Sequence, residues 1–255
     1  MTGATHHTRL LHTTTKKVAH TSQNGIIRSF VASKKNYLFF KRFFDIIFSA
    51  FVIVLVLSWL LPILALLIKL DSGGPVFFKQ RRAGLYGKSF WCLKLRTMLI
   101  NDEADERQAE EDDDRITKVG RFLRRTNMDE LPQFLNVLIG DMSVVGPRPH
   151  MVSDCIRFSF VISSYQFRNL MRPGITGLAQ IKGYHGPTAD YESIIVRYFW
   201  DVQYVRKASL FLDIKIMAMT AVQGFKNFRN TLLYSRHDRK TIIIDNTTLE
   251  KKASL

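Results

Sequence analysis

A chain of 255 residues that is 46% hydrophobic, 12% aromatic and 23% charged is long and apolar enough for one large domain or two small ones, which excludes intrinsic disorder and fibrous structure for most of its length. Its 37 Lys and Arg against 22 Asp and Glu give a net charge of +15, which indicates a phosphate-rich partner: nucleic acid, an anionic membrane surface or a phosphorylated substrate. Because only Cys92 and Cys155 are present, a disulfide framework or thiolate metal site is not expected, and the chain is predicted to face the cytosol.

The two ends and one internal stretch differ from the rest in composition. Residues 1–36 are rich in Thr, His and Lys without sustained hydrophobic periodicity, and the tail 236–255 is similar, so both are predicted to be weakly ordered. Nine of the 22 acidic residues lie in 102–114, which makes the remaining chain more basic than the total suggests.

A strongly apolar segment runs over residues 46–68, where the only polar side chains are Ser49 and Ser58. As a straight helix it would measure about 35 Å, enough for the hydrocarbon core of a bilayer, and it is too long and too internal for a signal peptide. Both flanks are basic, which favours a helix that returns to the same membrane face, and Pro62 would interrupt it. An ordinary spanning helix kinked at the proline is the alternative, and composition favours neither.

After the membrane segment, glycines bracket two short apolar runs at 76–78 and 90–95, which predict a small β-hairpin. Most of its basic residues are expected to be solvated and to assist membrane attraction. The segment 115–150 then carries the densest polar chemistry. There Asp129 and Glu130 directly precede Leu131 and Pro132, so a helix is predicted to begin around 129–132.

Two interpretations of this acidic pair stand side by side. Carboxylates at a helix N-terminus stabilise the helix dipole, and capping is the simpler interpretation. The functional interpretation is a carboxylate nucleophile or metal ligand that faces an anionic substrate held by arginine. Downstream, Gly146, Pro147 and Pro149 stiffen the turn around Arg148, where a guanidinium is suited to phosphate recognition, and a glycine-rich loop follows at 174–186.

In this order, the motifs KRFFD, GPVFFKQRRAG, LKLRTM, DRITKVGRFLRR, DELPQFLNVLIGDMSVVGPRP, RPGITGLAQ and DVQYVRKASLFLDIKIMAMT resemble the bacterial sugar transferase family, the monotopic phosphoglycosyl transferases that act on polyprenyl phosphate. The resemblance extends from about residue 41 to residue 220. It implies an α+β, mainly helical fold with a re-entrant membrane helix hairpin, interfacial amphipathic helices and the small β-hairpin. The domains are then predicted as a flexible segment 1–36, a membrane helix 37–70, a cytosol-facing catalytic domain 71–235 and a tail 236–255.

The resemblance implies an enzyme that transfers a sugar 1-phosphate from a UDP-sugar to polyprenyl (undecaprenyl) phosphate and releases UMP, as a first step of surface glycan assembly at the cytoplasmic face of the plasma membrane. By the same resemblance Asp129 is the nucleophile with Glu130 beside it, and the pair is expected to hold Mg²⁺, a hard cation suited to oxygen ligands. The expected substrate-binding residues are Arg96, Arg124, Arg148, Gln180 and His185.

The chain departs from the family pattern in three places. Trp59 follows Ser58 where the family often has proline, which leaves the bend of the membrane helix between Ser58 and Pro62. His185 stands where family members often carry an arginine, and protonated histidine would substitute for it. Residues 1–36 are too few for the additional N-terminal membrane region and soluble domain of larger members, so the minimal catalytic form is expected.

Two other function classes are weighed against this one. A membrane-tethered nucleic-acid-binding protein would explain the +15 charge, but no helix-turn-helix, RNP or zinc motif supports it, so no nucleic-acid partner is expected. An ordinary glycosyltransferase would release UDP instead of UMP. The sugar, the glycan pathway and assembly into a homo-oligomer stay open.

Overall fold

The computed structural model describes residues 4–100, 113–184, 186 and 190–253. The chain divides into two compact units, Met1–Phe44 and Asp45–Leu255. The fold is mainly helical and contains a small β-hairpin, as the sequence predicts, and a second small sheet that was not predicted. In chain order its helices and strands are α1 Ala4–Val52, α2 Ser58–Asp71, β1 Phe77–Ala83, β2 Ser89–Leu95, α3 Lys118–Thr126, α4 Gln133–Ile139, β3 Ser143–Val145, α5 Val152–Val161, β4 Gly174–Thr176, α6 Leu178–Ile181, α7 Tyr191–Lys207 and α8 Leu210–Ala253.

The predicted apolar segment lies in one helix run, Ser29–Asp71, which is long and apolar enough to cross a membrane by length and composition. A π-helical segment, Ile53–Leu57, joins α1 to α2 without a loop. There the Ser58 N–H donates to the Ile53 carbonyl, five residues back. This π-helical segment, which interrupts the α-helix, therefore ends about one turn before Pro62. The return of the helix to one membrane face stays a prediction.

Two side chains compensate for the widened turn. The Ser58 hydroxyl donates to the Val54 carbonyl at 2.6 Å, and the Trp59 indole Nε1 donates to the Leu55 carbonyl at 2.9 Å. Because no water in a bilayer core would satisfy these carbonyls, both bonds lower the cost of burying the interruption in lipid.

One face of α2 packs into the soluble body and the other is exposed. Leu64 and Ile68 form a buried cluster with Leu95 of β2 and Leu123 of α3. The opposite face exposes large apolar side chains, among them Trp59, Ile63, Leu66 and Leu70. Such an exposed apolar surface is typical of contact with lipid or with another protein.

Each of the two sheets consists of two strands. Strands β1 and β2 form the predicted antiparallel hairpin, with Gln80 opposite Cys92, and β3 pairs in parallel with β4, with Ser143 opposite Gly174.

Helical backbone continues across the predicted boundaries at 36/37 and 235/236, through α1 and α8. Those domain boundaries stay predictions.

Candidate active site

The acidic pair lies on a short turn between two helices. Helix α3 ends at Asn127, whose left-handed backbone (φ 56°) is a conformation that asparagine tolerates better than most residues. A 3₁₀ turn, Met128–Glu130, follows, and α4 begins only at Gln133 after Pro132. The start of α4 after Pro132 agrees with the helix start predicted around 129–132, and both carboxylates precede α4 in a tight turn.

Glu130 is the ion-paired member of the pair. Its Oε1 accepts from Lys94 Nζ at 2.7 Å and from Arg148 Nη2 at 2.8 Å, and its Oε2 accepts from Arg148 Nη1 at 3.2 Å. Burial alone would raise the pKa of Glu130, but the charges of Arg148 and Lys94, with their hydrogen bonds, outweigh burial and lower it. Glu130 is therefore ionised at any physiological pH. Glu130 therefore has ion-pair partners beyond the helix end, which simple capping does not require.

Asp129 has a different environment one residue away. It is 9% exposed, and within the described part of the chain its carboxylate has no hydrogen bond or ion pair. Burial raises its pKa to about 6, with the negative charge of Glu130 adding to the effect and Lys94, Arg148 and Arg124 opposing it. Near neutral pH it is an ionised carboxylate with few stabilising contacts, which is the state expected of a nucleophile.

Asn136 holds the turn against the hairpin. From α4, its Oδ1 accepts from the Leu93 N–H at 2.9 Å and its Nδ2 donates to the Trp91 carbonyl at 2.8 Å. These two bonds satisfy strand β2 on both sides of Cys92 and bring Lys94 to Glu130. Since Asn136 is 1% exposed, both bonds are sheltered from water.

The turn that carries Arg148 is fixed by close backbone contacts. Gly146 N donates to Thr176 O at 2.8 Å, and Gly174 N donates to Pro147 O at 3.0 Å. A Cβ on Gly174 would lie 2.0 Å from the Gly146 nitrogen, so no larger residue fits where the two segments meet. Glycine at these positions lets the loop after β3 lie directly against β4.

The predicted binding residues differ in where they lie. Arg148 contacts Glu130, and Arg124 is half-buried on α3 and electrostatically coupled to Asp129, so both lie at the site. Gln180 on α6 donates to the Ile175 carbonyl, and its buried Oε1 has no partner among the described residues. His185 lies outside the described residues.

Arg96 lies at the end of α2. Its guanidinium donates four hydrogen bonds of 2.6–2.8 Å, to the carbonyls of Ser72, Gly73 and Pro75 and to the Ser72 hydroxyl. These contacts cap the end of α2 and anchor its exit loop. The structure gives Arg96 no contact with Glu130, and its assignment to substrate binding stays a prediction.

Sequence reasoning did not place Lys94 in the site. It was grouped with the solvated cations of the hairpin, yet it binds Glu130 and is coupled to Asp129. Strand alternation carried the signal, because the buried residues Phe90 and Cys92 lie on the same strand face as Lys94. Asn136, a polar residue in the apolar helix α4, was also missed.

The chemistry of the pair permits a divalent cation. The described residues contain no group of three or more His, Cys, Asp or Glu placed to bind a metal. Mg²⁺ commonly takes one or two protein carboxylates and completes its shell with substrate phosphates and water. Asp129 fits that requirement because its oxygens are unengaged, whereas both oxygens of Glu130 already accept from cations.

Comparison with known proteins gives consistent matches. Residues 36–227 match the family model described as bacterial sugar transferase. The chain is 47% identical over 189 residues to the UDP-glucose:undecaprenyl-phosphate glucose-1-phosphate transferase of Klebsiella pneumoniae, covering 74% of this chain and 40% of that protein. It is 41% identical over 185 residues to the UDP-N-acetylgalactosamine-undecaprenyl-phosphate N-acetylgalactosaminephosphotransferase of Aeromonas hydrophila, covering 72% and 43%.

One similar protein has a comparable length. The exopolysaccharide production protein PSS of Rhizobium leguminosarum bv. phaseoli is 45% identical over 190 residues, covering 72% of this chain and 94% of that protein. The chain thus spans about two fifths of the Klebsiella and Aeromonas proteins and nearly all of the Rhizobium protein.

Proposed function

Since this chain belongs to the bacterial sugar transferase family, we propose that it transfers a sugar 1-phosphate from a UDP-sugar to polyprenyl phosphate, through a covalent intermediate on Asp129. The observation that carries the proposal is the contrast within the acidic pair. Glu130 is neutralised by Lys94 and Arg148, whereas Asp129 is buried without an ion pair among the described residues. Only Asp129 keeps its oxygens available for bond formation.

In the first step an Asp129 oxygen attacks the phosphorus that carries the sugar. The bond from that phosphorus to the bridging oxygen of the diphosphate breaks, UMP leaves with that oxygen, and the sugar phosphate becomes an acyl phosphate on Asp129. In the second step an oxygen of polyprenyl phosphate attacks the same phosphorus. The phosphorus bond to Asp129 breaks, which regenerates the carboxylate and yields the polyprenyl diphosphate sugar.

The cations around the pair have separate tasks in this scheme. Lys94 and Arg148 hold Glu130 and lower the pKa of Asp129, which favours its ionised form. Arg124 has no ion pair within the described residues and is half-buried near Asp129. It is thus available to bind the phosphate oxygens, whose negative charge increases as UMP departs.

A Mg²⁺ ion, where bound, would be held by Asp129 together with substrate phosphates, and it would neutralise part of the diphosphate charge. Glu130, as a second ligand, would coordinate the ion alongside its contacts with Lys94 and Arg148.

We further propose that the apolar helix enters and leaves the cytoplasmic leaflet of the plasma membrane. The exposed apolar face of α2 supports contact with lipid, and the basic residues on both flanks oppose a crossing. A membrane-embedded helix beside the hairpin would keep Asp129 near the headgroups, where a soluble UDP-sugar and a lipid phosphate meet. The anionic membrane and both substrates would be attracted by the net charge of +15.

The nucleotide that is released tests the proposed function. Purified protein is incubated with undecaprenyl phosphate, Mg²⁺ and either UDP-glucose or UDP-N-acetylgalactosamine, the donors named in two relatives. UMP is the expected product, because the broken bond lies between the two phosphorus centres. Accumulation of UDP would convert the interpretation to ordinary glycosyl transfer.

A further inference from the structure

Three consecutive carbonyls in the loop that carries Arg148 are each held by a separate donor. Arg168 Nη2 donates to the Arg148 carbonyl at 2.5 Å, Arg82 Nη1 donates to the Pro149 carbonyl at 2.9 Å, and Ala83 N donates to the His150 carbonyl at 2.9 Å. The last two donors come from β1, so they attach the loop to the hairpin. Arg168 comes from a different part of the fold.

Arg168 is a fully buried arginine that has one acidic partner among the described residues. Its Nε and Nη2 lie 2.9 and 2.7 Å from Asp201 Oδ2 on α7, and the side chains of both residues are 2% exposed. A buried ion pair often contributes little net stability, because desolvation of the two charges offsets their attraction. A contribution to fold stability therefore does not by itself explain why Arg168 and Asp201 are buried together.

The Arg168–Asp201 ion pair contacts the loop at Arg148, the residue whose side chain binds Glu130. We propose that the Arg168–Asp201 ion pair is a positioning unit that holds the Arg148 guanidinium in its bidentate contact with Glu130. Arg148 lies between Pro147 and Pro149, which restrict the backbone on both sides. Fixing the Arg148 carbonyl therefore orients the residue whose side chain reaches Glu130. Neither Arg168 nor Asp201 contacts the acidic pair in the structure, so both act through Arg148.

The inference rests on the proposed function and is tested by a mutant cycle on UMP release. The variant Arg168→Met with Asp201→Leu removes both charges of the ion pair together, so neither is left buried without the other. We expect kcat to fall about 10- to 100-fold, as a small displacement of a catalytic group does. Adding Arg148→Gln to this variant should leave kcat/KM within about threefold of Arg148→Gln alone, because residues that act through one another are not additive.

Two further variants serve as comparisons for this test. Arg168→Lys retains a charge for Asp201 but lacks the planar fork that reaches both partners, so it should fold and still lose about tenfold in kcat. Arg157→Met removes the 3.0 Å ion pair with Asp154 on α5 and should keep wild-type kcat. Losses that multiply when Arg148→Gln is added, or wild-type kcat in Arg168→Lys, would overturn the proposal.

A structural readout separates this inference from the proposed function. If the wild-type protein releases no UMP, the proposed function fails, and positioning is then read from a crystal structure of the Arg168→Met, Asp201→Leu variant. Displacement of the Arg148 guanidinium beyond ~4 Å from Glu130 would support the proposal. An intact bidentate contact would contradict it.

Discussion

Replacing Asp129 by asparagine should stabilise the protein at neutral pH while it abolishes activity. Burial raises the pKa of Asp129 from its usual 3.8 to about 6. Between those two values the folded state binds more protons than the unfolded state, so the free energy of unfolding falls as pH rises from about 4 to about 6. A difference of about two pH units corresponds to about 3 kcal/mol at 1.36 kcal/mol per unit.

An amide at position 129 is neutral at every pH, so the free energy of unfolding of the variant does not fall in this way as pH rises. We therefore expect Asp129→Asn and the wild-type protein to have similar Tm values near pH 4, and the variant to be more stable above pH 6.5. For a chain of this size 1 kcal/mol shifts Tm by about 2–4 °C, so the expected difference is about 6–12 °C. The assay is thermal unfolding in detergent with EDTA, since bound Mg²⁺ would stabilise the carboxylate.

Asp190→Asn is the matched control. Asp190 caps α7 through the Ser193 N–H at 2.6 Å, and this hydrogen bond lowers the pKa of Asp190. Its replacement should give no gain in Tm at neutral pH. Equal Tm values for Asp129→Asn and wild type at pH 7.5, or a less stable variant, would refute the account of a destabilised carboxylate at position 129.

Other perturbations test the surrounding structure. Arg148→Gln should lower kcat/KM for UMP release about 100-fold, whereas Arg121→Gln on the exposed face of α3 should leave it nearly unchanged; equal losses would remove Arg148 from the site. Asn136→Leu leaves two backbone groups of β2 unpaired and should destabilise the fold by about 2–4 kcal/mol, so an unchanged Tm would contradict its role. In a background without native cysteines, Phe30→Cys and Ile100→Cys should both resist an impermeant thiol reagent in intact cells; labelling of position 30 alone would show that the helix spans.

Features that depend on local pattern were predictable from the sequence. Two apolar runs bracketed by glycines predicted the β1–β2 hairpin, and the hydropathy of residues 46–68 predicted the long apolar helix. Both signals arise from residues close together in the chain. The acidic pair was likewise noticed locally, from its place before a proline.

Features that depend on distant contacts were not predictable in the same way. Glu130 binds Lys94, which is 36 positions away in the sequence, and Arg148, which is 18 positions away. The residues next to Glu130 in the sequence do not indicate either contact. Arg96 is a further example. Its guanidinium caps α2 from 24 positions away, a contact that its place in the motif LKLRTM did not indicate, and its assignment to substrate binding stays a prediction.

The turn at the acidic pair shows a third limit. Pro132 correctly indicated a helix boundary, but the 3₁₀ turn before it depends on the left-handed backbone of Asn127, which asparagine permits without requiring. The π segment at 53–57 is similar, because its apolar residues equally suit an ordinary α-helix.

The covalent intermediate is tested most directly by the mass of the protein after incubation with a UDP-sugar and Mg²⁺ in the absence of polyprenyl phosphate. Without an acceptor the sugar phosphate should remain on the enzyme. The account predicts an adduct of one sugar phosphate that maps to Asp129, disappears when undecaprenyl phosphate is added, and is absent from Asp129→Asn. An adduct that persists in Asp129→Asn, or UMP release by wild type without any adduct, would contradict it.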